Sequence, residues 1–164
     1  MYNFHIVPYT NSHHQELLRL LLALQFTHFN ETASSQVKEI NHSADIKKPY
    51  DEYITFIENN TEGNWKVLLA KTEEEQIVGF IIGSIETDDD LVLNKIGKLE
   101  DWFIEAQFRG KGIGTKIYAE LEKWFIEKGC KQVRSDTWTG NASSIKAHEE
   151  LGFFVSGIQF GKKL

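Results

Sequence analysis

The stretch Leu99-Glu100-Asp101-Trp102-Phe103-Ile104-Glu105-Ala106-Gln107-Phe108-Arg109-Gly110-Lys111-Gly112-Ile113-Gly114-Thr115 decides the fold. It reads as a strand from about Lys98 to Glu105, a short loop with three glycines, and the start of a helix. From Gly112 to Lys128 the apolar residues Ile113, Ile117, Leu121, Trp124 and Phe125 fall on one helical face, and Gly129 supplies the C-terminal stop. Three features make the junction a candidate anion site. Glycines at 110, 112 and 114 let the backbone curl and approach a ligand. The first N–H groups of a helix have no partner inside it. The helix dipole adds partial positive charge, to which Arg109 and Lys111 add full charges. A diphosphate is the natural guest, and a flexible connection with no ligand fits the spacing equally well. The Rossmann fingerprint needs its third glycine one place later, and the P-loop needs Gly-Lys-Ser/Thr after a four-residue gap.

Upstream, Tyr2 to Pro8 alternates as a first strand. Ser12 and Gln15 form a capping box ahead of Leu17, Leu18, Leu21 and Leu22, which predicts a helix ending near His28. Residues Asn30 to Lys48 are polar and read as loop or short helix, an excursion of the kind that shapes substrate sites. Pro49 starts a second helix carrying Tyr53, Ile54 and Ile57 on one face. Trp65 to Lys71 and Ile77 to Glu86 form a hairpin, and Thr87 to Asp90 is a solvated acidic loop.

Downstream, Gln132 to Trp138 reads as a strand. Asn141 caps a helix running to Leu151, Gly152 ends it, and Phe153 to Phe160 reads as a final strand or hairpin arm. This order mixes a hairpin with strand–helix–strand crossovers. The fold class it predicts is α/β (α+β), one domain over residues 1–164 with a single mixed, mostly antiparallel central sheet and helices on both faces.

The chain's 164 residues, 41% of them hydrophobic, suffice for one core. Lys plus Arg number 18 and Asp plus Glu 24, a formal charge of −6. That balance argues against nucleic acid as the partner and suits solubility or a cationic ligand. The single cysteine, Cys130, allows no internal disulfide and suits a reducing compartment. No basic segment followed by an apolar one opens the chain, and Leu17 to Phe26 is too short to span a bilayer, so a cytoplasmic location away from membrane is expected. The triplets beginning at Asn30, Asn41, Asn59 and Asn141 match the glycosylation sequon and are discounted without a secretory route. His13 and His14 diverge by about 100° on a helix, and His5, His28 and His42 share no ligand spacing, so no metal is expected. Trp102, Trp124 and Phe125 read as core, while Trp138 ends a strand beside the expected site.

The pattern Arg109-x-x-Gly112-x-Gly114 between a strand and a long amphipathic helix resembles the acetyl-CoA loop of the GNAT superfamily of N-acetyltransferases. The strand Leu99 to Ile104, the hairpin arm Val78-Gly79-Phe80-Ile81-Ile82-Gly83, and Asn141 followed by a helix and Leu151-Gly152-Phe153 are similar to its other signatures. Ser135-Asp136-Thr137, His148 in place of the commoner Tyr, and the ending Phe160 to Leu164 resemble the aminoglycoside 6′-N-acetyltransferase subgroup. The likeness covers most of the chain and is weakest from Asn30 to Asn64.

The resemblance implies acetyl transfer from acetyl-CoA to a primary amine by direct attack in a ternary complex. Backbone groups of Phe103 and Ile104 would pair with pantetheine, the N–H groups of Arg109, Gly110, Lys111, Gly112, Ile113, Gly114 and Thr115 would hold the pyrophosphate, and Asn141 would reach the thiol end. Carboxylates can hold an ammonium and take its proton. Glu100 and Asp101 are the candidate bases, with Asp136 on the neighbouring strand; Glu100 is favoured by its match to the family, Asp136 shares catalytic and substrate roles, and Asp101 and Trp138 are substrate contacts. Neighbours on a strand face opposite sides, so Glu100 and Asp101 can share the cleft only across a bulge. His148, with an unperturbed pKa of ~6.5, is the candidate acid for the leaving thiolate. Subgroup members often pair as homodimers. A polyamine, amino acid or peptide amine as acceptor stays open, as does a non-catalytic acetyl-CoA sensor.

Overall fold

The computed structural model describes residues 3–41, 47–60 and 63–162. Five strands run β1 (Phe4–Pro8), β2 (Trp65–Thr72), β3 (Ile77–Thr87), β4 (Lys95–Ile104) and β5 (Gln132–Arg134), in that order across one sheet. The first four pair antiparallel, while β4 and β5 are parallel, so the sheet is mixed and mostly antiparallel. The helices are α1 (His14–Gln25), α2 (Ser35–Asn41), α3 (Lys47–Asn59), α4 (Ile113–Glu127) and α5 (Ala142–Glu150).

Alternation along the strands gives the sheet two apolar faces. Val67, Leu69, Phe80, Ile82 and Phe103 meet Leu17, Leu18, Leu20 and Leu21 of α1 and Ile54 and Ile57 of α3. Leu68, Ala70, Ile81, Leu99 and Ile104 meet Ile113, Ile117, Leu121 and Phe125 of α4. Each fully buried aliphatic or aromatic side chain contributes about 1.5–3 kcal/mol, so these two layers fix which face every β4 side chain takes.

Several boundaries differ from the sequence reading. The entry to α1 is capped by Thr10: its N–H donates to His13 Nδ1 at 3.1 Å and its hydroxyl lies 3.0 Å from the same nitrogen, while Ser12 only meets the Thr10 hydroxyl. The helix stops at Gln25 and continues as a π-helical turn over Phe26–Thr32, followed by α2, where loop or short helix was expected. Strand β5 ends at Arg134 instead of Trp138, because it pairs with β4 only along Ile96 to Lys98 and then diverges. Residues 153–160 form no strand and pair with none of the described strands; Phe154 and Phe160 are 85% and 90% exposed. Tyr2, His42, Lys163 and Leu164 lie outside the described residues, as does the side chain of Asn41. Among the described residues no helix is long and apolar enough to cross a membrane.

Candidate active site

The parting of β4 and β5 opens a cleft of about 460 Å³. Beyond Lys98, the β4 edge facing away from β3 has no strand partner. One side chain still ties the gap, the Ser135 hydroxyl, which lies 3.4 Å from the Leu99 carbonyl.

At one end sits the glycine loop. Gly110 and Gly112 hold φ of +72° and +80°, a region side chains rarely adopt. Open space lies where a Cβ would project from either. Gly114 is different: the Trp102 indole lies so close that a Cβ would stand 2.8 Å from it. The Lys116 N–H bonds the Gly112 carbonyl at 3.1 Å, which leaves the N–H groups of Ile113, Gly114 and Thr115 without intrahelical acceptors. Arg109 is turned inward, its Nε donating to the Ile104 carbonyl at 2.8 Å with the guanidinium 5.5 Å from the Phe103 ring centre. Positive potential at this end therefore comes mainly from the main chain, and the open cradle fits a phosphate-bearing cofactor.

The other end is acidic. Glu100, Asp101 and Asp136 stand close together there, and Glu31 and Glu150 also line the cleft, against the single guanidinium of Arg109. Glu100 and Asp101 share it because the register steps from Ile82↔Asp101 to Gly83↔Leu99, leaving Glu100 as the extra residue of a β-bulge. Glu100 accepts a short hydrogen bond from the Ser84 hydroxyl and lies 3.7 Å from Lys98 Nζ. Asp101 has no cation. Burial lifts its pKa from 3.8 to about 6, a hydrogen bond from Tyr53 opposes the rise, and Glu100 and Asp136 add to it. Burial and Asp101 in turn raise the Tyr53 phenol strongly, and raise Tyr50 to about 12. Tyr50 donates to Gln25 Oε1 at 2.8 Å, so α3 braces the carboxylate against α1.

Between the ends stands His148. Its Nδ1 lies 2.7 Å from the Ser144 carbonyl and must carry hydrogen there, while Nε2 lies 2.9 Å from the Ser135 hydroxyl. The ring meets Trp102 and Phe153 edge-on, with centroids 6.1 and 5.1 Å away. Asn141 starts α5: its Oδ1 accepts from the Ser144 N–H at 3.2 Å and the Ser143 hydroxyl at 3.0 Å, and its Nδ2 donates to Thr137 at 3.3 Å.

Of the residues singled out in the sequence, Glu100, Asp101, Phe103, Ile104, Arg109, Gly110, Gly112, Ile113, Gly114, Thr115, Asp136, Asn141 and His148 line this one cleft. Lys111 and Trp138 do not. The Lys111 ammonium sits over the Phe108 ring, and Trp138 packs edge-on against Phe29. Trp102, expected in the core, lines the cleft as well as packing near Tyr118. The π-helical turn brings Thr27, His28, Glu31 and Thr32 to the site; Glu31 and Thr32 fall in the stretch read as an excursion that shapes a substrate site, while Thr27 and His28 were missed. Ser135 was missed as well, since its place between Leu99 and His148 follows only from the parting strands. Among the described residues no cluster of three or more His, Cys, Asp or Glu is placed to hold a metal.

A family model described as the acetyltransferase (GNAT) family matches residues 17–153. Aminoglycoside N(6′)-acetyltransferase type 1 of Stenotrophomonas maltophilia is 28% identical over 89 residues, which are 53% of this chain and 58% of that protein. Thialysine N-epsilon-acetyltransferase of Mus musculus is 37% identical over 54 residues, 33% of this chain and 32% of that protein. The chain thus spans little more than half the length of the first of these relatives. The solved structure of aminoglycoside N-acetyltransferase AAC(6′)-Iy in complex with CoA superposes with a TM-score of 0.77 at 21% identity, covering 99% of this chain and 96% of that one, a likeness of fold.

Proposed function

The chain belongs to the acetyltransferase (GNAT) family, and on that premise we propose that it transfers an acetyl group from acetyl-CoA to a primary amine of a small polycation of the aminoglycoside kind. The observation that carries this reading is one cleft lined both by unpaired main-chain N–H groups at the start of α4 and by a group of neighbouring carboxylates, Glu100, Asp101 and Asp136. A diphosphate and an ammonium would each find its complement, and the gap between β4 and β5 gives the connecting arm a free strand edge.

Acetyl-CoA supplies an acyl carbon already activated as a thioester; the chain supplies the rest. Backbone groups of Phe103 and Ile104 hold the arm on the open edge of β4, and the N–H groups from Arg109 through Gly110, Lys111, Gly112, Ile113 and Gly114 to Thr115 hold the pyrophosphate. The second Nδ2 hydrogen of Asn141 is left for the thiol end. Glu100 and Asp136 hold the incoming ammonium. Asp101 is the better proton acceptor, because Glu100 already has Ser84 and Lys98 while Asp101 is poised just below neutral pH. His148 Nε2, bare while Nδ1–H is held by the Ser144 carbonyl, takes the second proton from the nitrogen as the C–N bond forms and passes it to the sulfur as the C–S bond breaks. Trp138 acts behind the wall and not on the acceptor.

The segment 153–160 suits pairing with a second copy of the chain, since its exposed Phe154, Ile158 and Phe160 have no cover within one molecule. Size-exclusion chromatography with light scattering checks this; a monomer at micromolar concentration removes the homodimer.

A thiol-release assay over a panel of amines tests the function. Turnover of kanamycin, with none of spermidine or a peptide N-terminus, is the expected outcome. Turnover confined to a polyamine, amino acid or peptide replaces the acceptor class. Firm CoA binding with no turnover of any amine replaces catalysis with sensing.

A further inference from the structure

The wall made by the π-helical turn is tied to the cofactor end by a chain of side chains. Asn141 Nδ2 donates to Thr137 Oγ1 at 3.3 Å, so the Thr137 hydroxyl hydrogen is free for His28 Nε2, 3.1 Å away. Two further contacts lock the same elements. The Gly140 Cα is pressed on the Thr32 carbonyl so tightly that a Cβ would stand 2.3 Å from that oxygen. Phe29 meets Trp138 edge-on with centroids 6.5 Å apart. The π-helical turn thus touches the loop 137–141 at three points and the body of the sheet hardly at all. Insertions of this kind in a helix mark functional sites often enough to make the contacts worth following.

We propose that His28 and Thr137 are positioning residues that couple the two halves of the cleft, so that occupation of the CoA site at Asn141 orders the acceptor-side turn Phe26–Thr32. This rests on the acetyl-CoA reading given above. Asn141 is buried and its Oδ1 already has two donors. A ligand at its remaining amide hydrogen adds a fourth bond to a group already aligned with Thr137, and so stiffens the Thr137 hydroxyl and through it the imidazole.

Hydrogen exchange with CoA alone as the probe tests this without any acceptor or any turnover, and calorimetry on the same sample establishes that CoA binds. In the wild type, saturating CoA slows exchange of the amides from His28 to Ala33 about ten-fold, within the usual range of coupling between sites. Thr137→Val and His28→Phe each abolish that slowing while CoA still binds, and Thr137→Ser, which keeps the hydroxyl, restores it. Should one of the two disabling variants fail to fold, the other decides. No slowing in the wild type, or slowing undiminished in the variant that folds, overturns the coupling and leaves the acetyltransferase reading standing. No CoA binding by the wild type overturns both.

Discussion

Replacing Asp101 by Asn should disable the enzyme and stabilise the protein, two effects of opposite sign from one buried charge. In the folded chain Asp101 titrates near 6 instead of 3.8, mainly through burial. Its folded pKa is the higher one, so the native state holds the proton more tightly than the unfolded chain. Stability from this group therefore falls as pH rises from about 4 through about 6 and stays low above that. The full penalty at pH 7.5 is about 3 kcal/mol. Asn is neutral, similar in volume and still able to accept from Tyr53, so the variant escapes the penalty. For a chain of this length it should melt on the order of 5–10 °C higher at pH 7.5, with the gap closing below pH 4. The same change removes the proton acceptor, and kcat/KM should fall by about 10²–10⁴, with loss of the acid limb near pH 6. Calorimetry across pH and a thiol-release profile measure both. A variant less stable than wild type at pH 7.5, a gap that persists in acid, or an unaltered acid limb would refute the reasoning.

Gly112→Ala forces a side chain into a backbone at φ +80°, costing about 1–2 kcal/mol. It should weaken CoA binding about ten-fold by relaxing the loop, as calorimetry would read. His148→Phe keeps the ring packed between Trp102 and Phe153 but loses its nitrogens, so kcat should drop more than CoA affinity; equal losses would remove its role as acid. His14 bridges Asp51 and Glu58 at 3.0 and 3.1 Å, and these carboxylates raise its pKa, the hydrogen bond it donates to Asp51 first among the raising causes and burial opposing. Its contribution is full below pH about 6.5 and fades as pH climbs through the raised folded value. Melting curves of His14→Gln against wild type should therefore differ most near pH 6 and least near pH 9.

The two halves of the cleft differ in how far the sequence revealed them. The glycine loop, α4 and the Asn141 cap were legible because each rests on local signals: positive-φ glycines, a helical apolar stripe and a side chain that bonds its own helix. The acceptor wall was legible only in part. A π-helical turn has no periodicity that separates it from ordinary helix, and His28 gains meaning only from Thr137, 109 positions away. The early end of β5 was hidden for a related reason. Gln132 to Trp138 has strand composition throughout, and only the divergence from β4 decides where pairing stops. The bulge was anticipated as a condition for Glu100 and Asp101 to coexist, yet its presence depended on the partner strand. Phe153 to Phe160 shows the opposite failure, a strand-like pattern that pairs with no strand among the described residues.

The supernumerary residue in β4 makes that strand's length as informative as its letters. On the Leu99 side the side chains keep one phase, and on the Trp102 side they keep the other, with Glu100 absorbing the half-step. Excising that one residue would leave every chemical group but one in place. The faces would stay as they are, because Leu99 and Asp101, already paired with Gly83 and Ile82, would then alternate as ordinary neighbours, with the indole still toward α4 and the Phe103 ring still toward α1. The extra residue therefore serves the cleft and not the sheet: a strand one residue shorter would keep its ladder and lose the bend that brings a second carboxylate beside Asp101.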